Sequence, residues 1–257
     1  MNQIIQGECV KIMRTFPNNS IDLVVTSPPY DNLRNYKGYS FDFENIAKEL
    51  YRITKQGGVV VWVVGDAVVN KSESGTSFKQ ALFFKEIGFN LHDTMIYKKN
   101  GSPYPEKTRY FQNFEYMFVF SKGVPKTINL IQDRKNKWLG SWGKQSTRDK
   151  KGNLHKASKI VCKEYGTRFN IWEINNGDGF STKDKIAYEH PAIFPEALAR
   201  DHIISWSNPG DTVLDPMNGS GTTTKMAKLL GRNYIGIDIS EEYCNIARER
   251  LGQDILI

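Results

Sequence analysis

The sequence predicts an open α/β protein, a mostly parallel sheet with helices on its faces, interrupted by a basic insertion. Three observations predict it. Short β-branched apolar runs alternate with segments of helical period near both ends of the chain. A glycine-rich turn near the C-terminus joins a strand pattern directly to a helix pattern. The middle shows neither period and is dense in cations. Residues 122–170 carry 13 Lys and Arg against 3 Asp and Glu, more than the whole-chain net charge of +7, so the remainder is net acidic.

The elements follow in order. Ile21–Thr26 (IDLVVT) and Val59–Val64 (VVVWVV) read as buried strands. Between them Ile46, Leu50 and Ile53 recur at helical spacing, and Gly57-Gly58 ends that helix. Ser77–Ile87 reads as a helix stopped by Gly88, and Leu91–Tyr97 and Tyr116–Phe120 as further strands. Pro195–Ile204 is a helix with proline in its first turn. Thr212–Asp215, Thr222–Leu230, Tyr234–Asp238 and Glu241–Leu251 then alternate strand and helix. Trp62 reads as core. Trp138, Trp142, Tyr165, Phe169 and Trp172 lie among the central charges. They form either a small core or a stacking surface for bases, and both readings stand at this point.

Composition bounds the function. A chain of 257 residues, 39% hydrophobic and 25% charged, is an ordinary globule of one large domain or two small ones. The longest apolar run, Val59–Val64, falls far short of the ~20 residues a membrane span needs. The opening MNQIIQGECV lacks the basic head and apolar stretch of a signal peptide. Cys9, Cys162 and Cys244 are scattered and form no CxxC pair, so neither a disulfide framework nor a metal site is expected. The expected location is the cytoplasm. The basic centre suits a nucleic-acid backbone, with a solvated lysine-rich insertion as the plainer alternative.

Two turns carry chemistry. In Thr212–Thr222 (TVLDPMNGSGT) a strand runs into a tight turn and then a helix. Gly219 and Gly221 let the backbone bend and approach a ligand, and the helix start offers N–H groups. Asp238 ends the next strand, near the offset at which an acid accepts ribose hydroxyls. The glycines are not followed by GKS or GKT, and Thr224 holds the third glycine position, so neither a P-loop nor a dinucleotide site fits. Asp215 would repel a pyrophosphate. It suits a ligand with an ammonium group, such as the methionine end of S-adenosylmethionine.

The other turn is Thr26-Ser27-Pro28-Pro29-Tyr30 at a strand exit. Two prolines stiffen it and hold Ser27 and Pro28 extended. The plain reading is a rigid strand exit with a packing tyrosine. The chemical reading starts from the exocyclic amine of a base, whose lone pair is delocalised into the ring. Acceptors on its N–H groups, here Ser27 Oγ and the Pro28 carbonyl, favour the tetrahedral amine whose lone pair can attack. Tyr30 would stack on the base, which must leave the duplex to be reached.

Together TSPPY at 26–30, HPAIFPEAL at 190–198, LDPMNGSGTT at 214–223 and GIDIS at 236–240 resemble the β group of amino-methylating DNA methyltransferases. The order is catalytic motif, recognition region, cofactor motif. The resemblance implies a Rossmann-like, mostly parallel seven-stranded sheet, S-adenosylmethionine as methyl donor and double-stranded DNA as substrate. By position, Ser27, Pro28, Pro29 and Tyr30 form the catalytic loop. Asp215, Pro216, Gly219, Gly221 and Thr222 line the methionine end of the cofactor, and Asp238 takes the ribose. His190, Pro191, Phe194 and Pro195 help close over it. Glu8, where the family usually has Asp, is expected near the adenine. Met217 replaces a usual Phe. Tyr116–Gly123 matches a strand near the target-base pocket.

The implied division is 1–123 catalytic half, 124–170 target-recognition region and 171–257 cofactor half. Ser at the first catalytic position is typical of enzymes acting on cytosine N4, and Asp of those acting on adenine N6, so cytosine is favoured. An RNA or small-molecule methyltransferase and a binding module without catalysis are the rival classes. A homodimer and a cognate restriction endonuclease are the further partners the family suggests.

Overall fold

The computed structural model describes residues 2–29, 41–101, 107–142, 146–156 and 160–253. The chain divides into two compact units, Met1–Asn129 with Asn170–Ile257, and Leu130–Phe169.

The first unit is built on one sheet. Its strands are β1 (Gln3–Gln6), β2 (Ile21–Thr26), β3 (Thr54–Val64), β4 (Asn90–Lys98), β5 (Phe114–Ser121), β6 (Ile171–Glu173), β7 (Thr212–Asp215) and β8 (Asn233–Asp238). They lie in the order β1-β8-β7-β2-β3-β5-β4-β6. Only β5 runs against its neighbours. The helices are α1 (Cys9–Met13), α2 (Phe43–Ile53), α3 (Thr76–Glu86), α4 (Glu196–Trp206), α5 (Thr222–Leu229) and α6 (Glu241–Gly252). The caps are chemical. Asp42 accepts the Asn45 amide ahead of α2, and Ser240 that of Tyr243 ahead of α6.

Two expectations about the sheet unit need correction. The sheet has eight strands, not seven. Its edge strand β6 lies where the chain resumes after the insertion. Trp172 at the centre of β6 is buried against Met95 and Tyr97, which decides for the core between the two readings left open for it. The second correction concerns Gly57-Gly58, which does not end α2. That helix stops at Ile53, Thr54 turns extended, and both glycines lie inside β3, beside a register shift opposite Ile21–Leu23.

Apolar residues cover both faces of the sheet. Val24, Val60, Trp62, Phe84 and Phe120 pack on one side, and Leu23, Val25, Val61, Met117 and Val213 on the other. Strands buried on both faces need unbroken apolar runs, which is why IDLVVT and VVVWVV lack alternation. Trp62 is fully buried and donates its indole N–H to Gln80 Oε1 at 2.8 Å.

The second unit is a two-stranded ribbon rather than irregular chain. Arg134–Lys135 pairs with Tyr165–Gly166, Gly140–Trp142 with Ile160–Cys162, and Ser146–Arg148 with Leu154–Lys156, all antiparallel and nested in order. Asp149 shapes the tip by accepting the amides of Lys151 and Asn153 at 2.8 and 2.9 Å. No residue of this unit whose exposure is described is buried. Among the described residues of the whole chain, no helix is long and apolar enough to cross a membrane. No cluster of His, Cys, Asp and Glu among them is arranged to hold a metal ion.

Candidate active site at the carboxyl edge of the sheet

Strands β1, β8, β7, β2 and β3 are adjacent and parallel, so their carboxyl ends share one edge. That edge is where open α/β sheets bind ligands. It presents Gly7, Asp238, Asp215, Thr26 and, just past β3, Asp66. Asp66 serves the fold. It accepts the Ser77 amide at 2.9 Å at the start of α3 and the Ser77 hydroxyl at 2.5 Å.

Asp215 is buried at the end of β7. Its Oδ1 accepts the Thr26 hydroxyl at 2.7 Å and the Met217 amide at 3.1 Å. Burial pushes its carboxyl up to about 6. Hydrogen bonds from Thr26, Met217 and Thr223 work against that rise, and the Asp238 charge adds to it. Asp238 organises the turn from the next strand. Its Oδ2 accepts the Gly219 amide at 2.8 Å and its Oδ1 the Ser240 amide at 2.9 Å. Burial raises this carboxyl too, against those same amide bonds. Each oxygen keeps a second lone pair for a ligand hydroxyl.

The two glycines play different parts. Both have left-handed backbone, with φ of 49° at Gly219 and 82° at Gly221. A Cβ on Gly219 would stand 2.9 Å from His190 Nε2, at the wall of the cleft. A Cβ on Gly221 would stand 2.7 Å from the Ala247 Cβ on α6. Gly221 does not line the cleft. Its bare backbone lets α5 and α6 close together, whereas Gly219 stands at the cleft wall.

Ser27, Pro28 and Pro29 line the same cleft as Asp215 and Asp238. Tyr30 lies outside the described residues. The Thr26–Asp215 hydrogen bond ties the exit of β2 to the glycine turn. His190, Pro191, Phe194 and Pro195 form another wall, with Pro195 at the start of α4. The His190 ring meets Tyr243 edge-on at 4.3 Å, and its Nδ1 lies 2.8 Å from the Ala192 carbonyl. Pro216 and Thr222 also line the cleft. Glu8 does not. Its neighbours Gly7 and Cys9 do, while its own carboxylate caps α1, accepting the Val10 and Lys11 amides at 2.8 and 2.9 Å.

Sequence reasoning missed what lies beneath the turn. Arg250 of α6 is almost wholly buried. It donates to the Ser220 carbonyl at 2.7 Å and to Thr222 Oγ1 at 3.1 Å. On its other side it pairs with Asp184 at 3.1 Å and Glu196 at 2.8 Å. Lys225 joins the same two acids at 2.5 and 2.8 Å. Two cations and two anions thus fasten the turn, α4, α5, α6 and the segment carrying His190 to one another. No local signal in the sequence marks it, because the acids that Arg250 meets stand 54 and 66 positions earlier in the chain.

The cleft has a volume of about 1460 Å³. Single small-molecule sites run to roughly 300–1,000 Å³, so this one has room for two ligands. At the glycine turn its walls carry Asp215, Asp238, Glu241 and Glu242. That set of acceptors disfavours a pyrophosphate and fits a cation that also bears hydroxyls, which is the chemistry of S-adenosylmethionine.

These features define the class: an α/β protein whose cleft fits a cationic nucleoside-type ligand and has room for a second one. A family model described as DNA methylase matches residues 21–249. The chain is 62% identical over 245 residues to the orphan methyltransferase M.BamHII of Bacillus amyloliquefaciens, covering 93% of this chain and 91% of that one. It belongs to the β-group amino DNA methyltransferases. Among solved structures, the cytosine-N4-specific PvuII DNA methyltransferase superposes with a TM-score of 0.69 at 22% identity, over 100% of this chain and 88% of that one. The M1.HpyAVI–SAM complex superposes with a TM-score of 0.65 at 22% identity, over 98% of this chain and 100% of that one. These two likenesses concern the fold.

Proposed function

We propose that this chain transfers the methyl group of S-adenosylmethionine to the exocyclic amine of a base extruded from duplex DNA, with cytosine N4 as the acceptor. The observation that carries this is the 2.7 Å bond from Thr26 to Asp215, which sets the Ser27-Pro28-Pro29 loop beside the glycine turn in one cleft. When bound, S-adenosylmethionine supplies an electrophilic methyl on a sulfonium centre. Asp215 faces its cationic end and Asp238 its ribose. Ser27 Oγ and the Pro28 carbonyl hold the N–H groups of the base, so that its lone pair points at the methyl carbon. A near-attack distance of about 3–3.5 Å then suffices for in-line displacement: the N–C bond would form as the S–C bond breaks, S-adenosylhomocysteine would leave as the neutral thioether, and the methylated amine would pass one proton to water. Tyr30 stacks on the base. Ser27, rather than Asp, favours cytosine over adenine.

Leu130–Phe169 is the recognition region in this reading. A two-stranded ribbon fits the major groove. Its Lys and Arg side chains contact phosphate and set position, while a few side chains read base edges. The 62%-identical relative is named an orphan methyltransferase, which favours action without a cognate endonuclease.

The test is a transfer assay with labelled S-adenosylmethionine and mixed-sequence duplex DNA, followed by digestion and mass spectrometry of the nucleosides. N4-methylcytosine is the expected product. N6-methyladenine would keep the chemistry and change the base. Labelled RNA with unlabelled DNA in a parallel reaction would replace the substrate.

A further inference from the structure

The cleft continues past the Ser-Pro-Pro loop to a far end lined by Tyr97, Lys99 and Glu115. These stand at the carboxyl end of β4 and the facing start of β5. Tyr97 pairs with Glu115 in the antiparallel register, and the Lys99 amide extends the ladder by donating to the Asn113 carbonyl at 2.7 Å. Neither Lys99 nor Glu115 belongs to the motifs that carry the family resemblance.

Strand alternation brings both side chains to the face that Ser27 shares. Val25, Met117 and Tyr97 pack together on one face of the sheet. Ser27, Glu115 and Lys99 are the next members of those three rows, each two residues beyond its core neighbour. Only β3 stands between β2 and β5, so their rows lie about 10 Å apart. That interval holds a pyrimidine edge with a hydrogen bond of about 2.9 Å at each end.

The pair is open to a ligand in the cleft. Lys99 and Glu115 form an ion pair, and their side chains stay 27% and 16% exposed. The ammonium lies 6.0 Å from the centre of the buried Tyr97 ring, which forms a floor beneath it. An ammonium carries three N–H donors and no acceptor. Among the described residues Glu115 is its only ion-pair partner, which leaves N–H groups for a ligand.

Resting on the function proposed above, we propose that Lys99, held by Glu115, donates to O2 of the extruded cytosine and thereby excludes adenine. The edge of cytosine carries, in order, the amine, the N3 acceptor and the O2 acceptor. Adenine carries the amine, the N1 acceptor and a C2–H. Guanine begins on a carbonyl and ends on an amine, and thymine begins on a carbonyl. At one end of the site the Pro28 carbonyl only accepts, so it turns away guanine and thymine. At the other end the Lys99 ammonium only donates, and on adenine it would face a carbon with nothing to bind. Cytosine alone of the four satisfies both ends.

The experiment compares the wild type with Lys99→Met, with Lys99→Arg, and with the double variant Lys99→Met/Glu115→Gln, which removes the carboxylate charge as well. Melting temperature, S-adenosylmethionine affinity by titration calorimetry, and initial rates of N4-methylcytosine and N6-methyladenine formation on mixed-sequence duplex DNA are measured. Melting temperature and cofactor affinity should match the wild type. The kcat/KM for N4-methylcytosine should fall by about 10–100-fold in Lys99→Met and in the double variant, the loss expected for one hydrogen bond from a charged donor. Lys99→Arg keeps a donor and should retain more activity than Lys99→Met. Wild-type transfer by the double variant would overturn the proposal, because Lys99 would then serve only to neutralise Glu115, and would leave the proposed function intact. An equal loss in all three variants with a lower melting temperature would also overturn it, by making Lys99 a packing residue. A wild-type enzyme that yields only N6-methyladenine, or no methylated nucleoside, would overturn the proposed cytosine chemistry and this proposal together.

Discussion

The sheet unit and the ribbon are made by the same chain under opposite rules. In the sheet unit, polar groups at the site are buried and tied. Asp215, Thr222, Thr223, Thr224, Lys225 and Arg250 are all buried, and each has named partners. In the ribbon, Trp138, Leu139, Leu154 and Val161 are exposed, and among the described exposures none is buried. An isolated two-stranded hairpin is marginal in water. The ribbon is held by local devices: the Asp149 turn, the Arg168–Asp133 pair and Arg134 over the Phe169 ring at 4.6 Å. The lesson is a division of labour. The unit that carries the cleft is pre-organised by burial, whereas the ribbon keeps its cations and its large apolar side chains uncovered.

The largest expected effect would break that division. Replacing Lys135, Lys137, Lys150 and Lys151 by Glu reverses four exposed charges that support no core. DNA affinity should fall by about a thousandfold or more at low salt, with a shallower salt dependence. The melting temperature should not move. Fluorescence anisotropy and differential scanning fluorimetry read the two. A drop of several degrees would show that the ribbon supports the fold after all.

The mirror experiment is in the sheet unit. Arg250→Met leaves Asp184 and Glu196 sharing only Lys225 and strands the Ser220 carbonyl. Breaking a buried ion network costs about 3–5 kcal/mol, or roughly 10 °C in a domain of this size. Calorimetry should show that loss. An unshifted melting temperature would mean the quartet is ornamental. Next in size is Asp238→Ala, which removes the acceptor for Gly219 and Ser240 as well as the proposed ribose contact. Cofactor affinity should fall by about 10–100-fold. Unchanged binding in a titration would sink the ribose assignment.

The same contrast explains what could be read from the sequence. Ser27 and Asp215 were legible because each closes a short apolar run and is followed by proline, and Asp238 because it ends the next apolar run after the glycine turn. Trp62 was legible because its neighbours leave no polar face. The ribbon was not, since period-2 alternation appears only where one face is buried, and its strands of two or three residues have no buried face. β6 was hidden for the same reason of length. Gly57-Gly58 misled because two glycines after a helical pattern look like a stop, although the chain had already turned extended at Thr54. Arg250 was invisible because its partners stand 54 and 66 positions away in the chain. Glu8 was placed near the adenine by resemblance; its carboxylate caps the adjacent helix, a role that only the folded chain shows.

The smallest predicted effect sets one aspartate of each unit against the other. Asp149 in the ribbon is held down to about 2 by hydrogen bonds, from His155 first and then Asn153. Asp215 in the sheet unit is pushed up to about 6 by burial. For Asp215 the fold binds the proton more tightly than the unfolded chain does. Its contribution to stability is therefore full below about pH 4 and is lost as pH rises through 6. A cationic ligand wants the opposite state, because it attracts the carboxylate and not the acid. S-adenosylmethionine should accordingly bind about tenfold more weakly at pH 5 than at pH 7, one pH unit below the midpoint being worth a factor of ten. Thr26→Val removes a hydrogen bond that favours the carboxylate, so the break in the profile should move to higher pH. Asp215→Asn should flatten it. Affinity that stays level from pH 5 to 7 in the wild type would mean that Asp215 faces no positive charge, and that its burial serves only the strap from β7 to β2.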